Sequence, residues 1–267
     1  MTYVYPVVSR RAGGVSVGVN LNPNNACNWA CVYCQVPDLV RGTAPSIDLA
    51  QLESELRTML NAIVHGDFMQ TQVDEDMRRL NDIALSGNGE PTSAREFAAV
   101  VALIGTLLAE FELLGKIKVV LITNGSLIDR LGVQAGLRTM AELNGEVWFK
   151  LDSATAGGMR ATNQTRVSPE KVFERLKIAA SLCPLWLQTC VFALDGVPPP
   201  ASEQEAYLNL TQRLRTEQVL VQGVLLYGLA RPSMQPQAPR LAALPAVWLE
   251  DFAARIREAG LPVKVSV

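Results

Sequence analysis

Val15-Ser-Val-Gly-Val-Asn20-Leu-Asn-Pro-Asn-Asn-Ala-Cys27-Asn-Trp-Ala-Cys31-Val-Tyr-Cys34 joins a strand-like run to a loop carrying three cysteines at C-x3-C-x2-C spacing. The alternation over Val15 to Asn20 predicts a first β-strand, and the asparagine- and proline-rich step after it predicts a loop. Thiolates bind iron-sulfur clusters. Three on one short loop can hold three corners of a cubane and leave the fourth iron open to a small molecule, so the spacing points to an enzyme. Two plainer readings compete. A structural zinc site closes with four ligands, and the fourth would have to be His65, Cys183 or Cys190, none at a usual zinc-finger spacing. A disulfide is disfavoured, because five cysteines in 267 residues without an export-signal pattern suggest a reducing compartment. Cys183 and Cys190 sit among apolar neighbours and read as small core residues.

Outward from that first strand, strand-like runs alternate with helical patterns, which predicts repeated βα units and a parallel sheet. Strands are expected at 15–20, 83–86, 117–123, 147–151, 185–193 and 219–227. Residues 48–64 read as a helix with apolar spacing at Leu49, Leu52, Leu56, Met59, Leu60 and Ile63. His65 caps or follows it, and the polar insertion 65–81 holds a short helix at about 73–80. Ser93-Ala-Arg-Glu96 and Ser202-Glu-Gln-Glu205 both match the capping-box pattern at the start of a helix, and Ser168-Pro-Glu170 places proline in a first turn. A last helix at 245–259, closed by Gly260, leads to a terminal strand at 263–267. Six such units make a partial (β/α)6 barrel, an α/β fold with a C-terminal helix and strand. One domain is expected over 1–267, with its core at about 15–230 and the C-terminal loop, helix and strand at 231–267.

In barrels the reactive groups gather at the C-terminal ends of the strands. That rule nominates Lys150 and Asp152, two apart at the end of the fourth strand and therefore on one face. Burying both charges is costly unless they pair with each other or with a ligand. Asn124 and Gln188, at the ends of strands three and five, are further polar candidates. Pro198-Pro-Pro200 and the segment 228–245 read as loops over the open face, and Arg160 and Arg231, both placed in loops, could clamp an anion.

Composition fits one globular, cytoplasmic domain, with 49% hydrophobic and 19% charged residues. No apolar run reaches the roughly 18 residues of a membrane helix. The opening residues lack the basic-then-apolar order of a signal peptide, and Arg10-Arg11 is a weak twin-arginine signal. Twenty-four basic against twenty-six acidic residues, without a basic run, disfavour a nucleic-acid substrate.

The cysteine motif, with Tyr33 before its last cysteine, is followed about fifty residues later by Ser86-Gly-Asn-Gly-Glu-Pro-Thr92. Together these resemble the radical S-adenosylmethionine (SAM) superfamily. The resemblance implies that Cys27, Cys31 and Cys34 ligate a [4Fe-4S] cluster whose unique iron binds the amino and carboxylate groups of SAM. Gly89-Glu90-Pro91 matches the second half of the family's G-G-E-P motif, which contacts the SAM amino group; Asn88 replaces its first glycine. Tyr33, Asn124, Lys150, Asp152 and Gln188 are the remaining expected cofactor contacts. The chemistry implied is reductive cleavage of SAM to a 5′-deoxyadenosyl radical that abstracts hydrogen from a small-molecule or peptide substrate, with an electron donor such as flavodoxin or ferredoxin. Two variants of the resemblance stay open: an activase that installs a radical on a partner enzyme, and an RNA-modifying enzyme loosely similar to the wyosine-synthesis group. A zinc-stabilised binding module is the non-enzyme alternative.

Overall fold

The structure, a computed structural model, describes residues 1–9 and 13–266; Arg10-Arg11 and the last residue of the expected terminal strand lie outside the described residues. Eight strands form one sheet. Strand β1 (Val4–Ser9) runs antiparallel to β2 (Gly14–Val19). From β2 onward the order is β3 (Leu80–Leu85), β4 (Lys118–Thr123), β5 (Gly145–Lys150), β6 (Leu185–Cys190), β7 (Gly223–Tyr227) and β8 (Val263–Ser266), each parallel to its neighbour. Helices α1 (Leu49–Val64), α2 (Phe97–Glu110), α3 (Leu131–Glu142), α4 (Ala156–Asn163), α5 (Pro169–Leu182), α6 (Ala201–Thr216) and α7 (Ala246–Glu258) fill the connections. The result is the expected partial barrel, left open because β1 and β8 stand at opposite ends of the strand order.

The main core lies between the sheet and its helices. Val17, Ile83, Leu121, Val147, Phe149, Leu187 and Leu226 point that way and are buried against residues such as Leu56, Ile104, Leu137, Phe173 and Phe252. Alternate residues therefore face the lumen. They include Ser16, Asp82, Lys118, Glu146, Trp148, Lys150, Trp186 and Gln188, and this polar, aromatic lining keeps the strands from reading as continuous apolar runs.

Several local expectations are corrected. Strand β1 lacks a clear strand pattern in the sequence because Pro6 interrupts it, and proline is confined to sheet edges, where β1 lies. Ser93 does not cap α2: it sits in a 3-10 turn (Pro91–Ser93), and its hydroxyl accepts from Asn22 Nδ2 (3.2 Å) and the Ala44 amide (2.9 Å). Ser202 is already inside α6, whose N-cap is Pro200. The insertion folds as a short helix at Phe68–Gln72 and a 3-10 turn at Glu75–Met77, with Val73 extended between them. Helix α4 was unforeseen because Gly157 and Gly158 weaken its pattern; the Thr155 side chain caps it by accepting from the Gly158 amide. Arg160 thus stands in the last turn of α4, exposed, rather than in a loop.

At the lower end of the lumen the buried Asp82 carboxyl accepts from the Ser16 hydroxyl. Burial raises its pKa above the ordinary 3.8, more than the Ser16 bond lowers it, and Glu146 adds to the rise. The folded state then holds this proton more tightly than the unfolded state, so the group withdraws stability as pH climbs from the unfolded value through the raised one. Asp82→Asn is expected to raise Tm at pH 7 and to lose that advantage near pH 3, where both states are protonated. Thermal unfolding at the two pH values checks it, and an equal or lower Tm at pH 7 would contradict it.

Candidate active site

The chain leaves β2 at Asn20, whose Oδ1 accepts from the amides of Asn22 (2.9 Å) and Asn88 (3.1 Å). This ties the start of the cysteine loop to the Gly87–Pro91 turn. Ala26–Cys27 then pairs with Val40–Arg41, and the Arg41 guanidinium donates to the carbonyls of Asn28 (2.8 Å) and Gln164 (2.6 Å). The amides of Ala30 and Val32 donate to the carbonyls of Asn163 (3.3 Å) and Thr162 (2.8 Å) at the end of α4. From the C-terminal segment, the Ser233 hydroxyl donates to the Val32 carbonyl (2.7 Å), and the Met234 amide and Gln235 Nε2 donate to that of Cys34 (2.9 and 3.3 Å). The loop is pinned from several directions, while its three thiols stay free and only half-buried.

Burial pushes the Cys27 thiol up to about 12 and the Cys31 thiol up to about 11, and raises that of Cys34. Without metal these groups stay protonated at neutral pH, so metal uptake must release protons. Among the described residues no three His, Cys, Asp or Glu side chains form a group that could hold one metal ion. Three separate thiols on one pinned loop suit a multi-iron cluster, in which each thiolate takes its own iron.

A polar network braces the loop. Asn163 Nδ2 donates to Cys31 Sγ (3.3 Å) and to Asp152 Oδ2 (2.6 Å). The Tyr33 hydroxyl donates to the same Asp152 oxygen, and the Cys190 amide donates to Oδ1 (2.9 Å). Asp152 is therefore satisfied by Asn163, Tyr33 and Cys190, while Lys150 Nζ donates to the Tyr227 hydroxyl (2.9 Å) and lies 4.9 Å from the Tyr33 ring centre. Burial opposes the Lys150 charge, but Tyr227 and Asp152 outweigh it and hold its pKa above the ordinary value.

Glu90 is 2% exposed, and its carboxylate turns inward. It accepts from the Thr92 amide (3.1 Å), the Thr92 hydroxyl (2.5 Å), the Thr123 hydroxyl (2.6 Å) and the Asn124 amide (2.7 Å). Burial raises its pKa against these bonds. A Cβ at Gly89 would lie 2.1 Å from the Ala26 carbonyl oxygen, so only glycine lets this turn close on the cysteine loop. Asn88 bridges to Asn25 Oδ1 (2.7 Å), and Asn124 Nδ2 donates to Asn28 Oδ1 (2.8 Å).

Strand β6 stops at Cys190, so Gln188 lies inside the strand and not at its end. His65 caps α1 and stacks on Phe111, with ring centres 5.8 Å apart. Cys183 and Cys190 are buried, and Arg231 is exposed. Sequence reading missed Asn163, because α4 was hidden, and Tyr227, whose position at the end of β7 was the available signal.

The fold is thus an α/β partial barrel with three free thiols on the one loop that follows β2. The Radical SAM superfamily model matches residues 21–199, and the chain belongs to that superfamily. That family uses a [4Fe-4S] cluster and SAM. Similar solved structures include a radical SAM methyltransferase from Sphaerobacter thermophilus, with 15% identity, 95% of this chain and 66% of that chain covered, and TM-score 0.63. TYW1 with a lysine-pyruvate adduct bound is another, with 14% identity, 92% and 74% coverage, and TM-score 0.59. At these identities the likeness is one of fold. Among curated proteins, GTPase Obg of Brachyspira hyodysenteriae (strain ATCC 49526 / WA1) is 22% identical over 222 residues, which are 80% of this chain and 28% of that protein. The chain thus spans less than a third of that relative and just under two thirds of the methyltransferase chain. Among the described residues no helix is long and apolar enough to cross a membrane.

Proposed function

We propose that this radical SAM enzyme acts on a small molecule or peptide held in the barrel lumen, with Cys27, Cys31 and Cys34 as the cluster ligands and SAM over the strand ends. When bound, the cluster and SAM supply a 5′-deoxyadenosyl radical by one-electron reductive cleavage, with a flavodoxin or ferredoxin as the class of electron donor. The chain's own residues position and shield. Asn163 donates to the Cys31 sulfur, as outer partners of metal ligands do. Asp152 orients Asn163 and Tyr33. Lys150 has three N–H groups, of which Tyr227 takes one, and its charge receives the SAM carboxylate. Glu90 acts through the turn it braces, because its carboxylate is already occupied, and that turn presents Gly89 to the SAM ammonium beside Asn124.

The observation that carries this reading is the double duty of Asp152, which holds Tyr33 inside the cysteine motif and Asn163 against Cys31. Lys150→Met tests the SAM assignment in protein reconstituted with iron and sulfide. Iron content is expected to hold, while SAM affinity measured by calorimetry falls about ten- to a hundred-fold, the loss of one charge-assisted bond. Unchanged affinity would remove Lys150 from the SAM site.

A further inference from the structure

Below the strand ends the lumen holds groups that SAM and the cluster leave unused: Gln188, Trp148, Trp186 and the third N–H of Lys150, after Tyr227 and the SAM carboxylate take one each. Lys150 pairs in register with Gln188, and Trp148 with Trp186, across β5 and β6. Their chain neighbours Phe149 and Leu187 belong to the core under the helices, so these four side chains share the lumen face. Gln188 is 7% exposed, yet its Oε1 has no hydrogen-bond partner among the described residues. A buried amide oxygen left alone is costly, and such an atom calls for an explanation. A ligand that completes it is one.

The surroundings of Gln188 restrict what that ligand is. Lys150 offers only donors, and it stands on the adjacent strand, about 5 Å away along the sheet. A carboxylate would satisfy Lys150 and meet Gln188 Oε1 with a second acceptor. An ammonium would satisfy Gln188 but would meet the remaining Lys150 N–H with another donor. An amide satisfies both, provided its carbonyl and N–H lie on one edge; a ring or a primary amide meets that condition and a trans secondary amide does not, and the aromatic surface below favours the ring. One layer down, Trp148 and Trp186 are half-buried. The Trp148 indole N–H is committed to Glu146 Oε1 (2.8 Å). Trp186 leans over Gly223, where a Cβ would fall 2.8 Å from the ring, and Lys264 Nζ lies 4.3 Å from its ring centre. Both indoles are half-buried on the lumen face, and the Trp186 ring, with Lys264 over it, keeps aromatic surface of the kind a planar partner packs against.

We propose that the lumen takes its substrate by a cyclic amide edge: a planar heterocycle whose ring carbonyl accepts from Lys150 Nζ and whose adjacent ring N–H donates to Gln188 Oε1, with the ring against the two tryptophans. This rests on the reading of the lumen as the substrate chamber. Gln188 is thereby a specificity residue rather than a SAM contact.

The test uses the full chain reconstituted with its cluster and saturated with SAM. It is titrated calorimetrically with 2-pyridone, hypoxanthine and uracil, each beside its N-methylated form. At least one parent heterocycle is expected to bind, with N-methylation and Gln188→Leu each weakening it about ten-fold or more, the worth of one buried hydrogen bond. In ligand-free protein Gln188→Leu is expected to keep or raise Tm, because it removes an unsatisfied oxygen. The proposal is overturned if no parent heterocycle binds, if methylation or the substitution leaves affinity unchanged, or if Gln188→Leu lowers Tm, the mark of a structural role. SAM cleavage to 5′-deoxyadenosine, measured in the same preparation without heterocycle, reports separately on the underlying enzyme reading.

Discussion

Replacing Cys31 with alanine is expected to leave a folded protein that retains neither iron nor sulfide after reconstitution and makes no detectable 5′-deoxyadenosine from SAM. A cubane held by three thiolates has no spare protein ligand. Cys31 is also the thiol whose sulfur receives the Asn163 bond, so its loss removes a ligand and the outer contact together. Cys190 lies in the same small apolar cluster but is buried, with burial raising its pKa well above the ordinary range, and it offers no substitute thiolate. The fold should persist because the main core lies on the other face of the sheet. Iron and sulfide assays with circular dichroism check this; wild-type iron content in the variant would refute the ligand assignment.

Asp152→Ala carries the second large effect. It strands the Tyr33 hydroxyl and the Cys190 amide, removes one of the two bonds of Asn163 Nδ2 and leaves the half-buried Lys150 ammonium without its neighbouring anion. Leaving a buried donor unpaired costs about 1–3 kcal/mol, and the Tyr33 hydroxyl, Asn163 and the Cys190 amide are all buried. At roughly 2–4 °C per kcal/mol for a chain of this size, Tm should fall by on the order of 10 °C. Asn163 also loses its orienting partner, so the variant should release iron faster than wild type. Scanning calorimetry and timed iron release measure both, and an unchanged Tm would mean that solvent already serves the three donors.

What could be read from the chain was what local spacing encodes. C-x3-C-x2-C is a distance along one loop, and the strands from β2 to β8 announced themselves by alternation or by apolar runs between turn signals. Lys150 and Asp152 followed from period two at a strand end. What stayed hidden was settled by tertiary contact. Ser93 and Ser202 match capping boxes, but Ser93 is recruited by Asn22 and Ala44 and Ser202 is overtaken by the proline run before it. The direction of the Glu90 carboxylate depends on Thr123 and Asn124, more than thirty positions away. The bond from Asn163 to Cys31 spans 132 positions and starts from a helix whose glycines conceal it.

The most direct measurement is formation of 5′-deoxyadenosine from SAM by the anaerobically purified protein, reconstituted with iron and sulfide and reduced with dithionite, with Cys31→Ala beside it. Product from the wild type and none from the variant is the expected result. A wild type that binds no iron, or holds zinc without sulfide, and makes no product would show that the cysteine loop is structural.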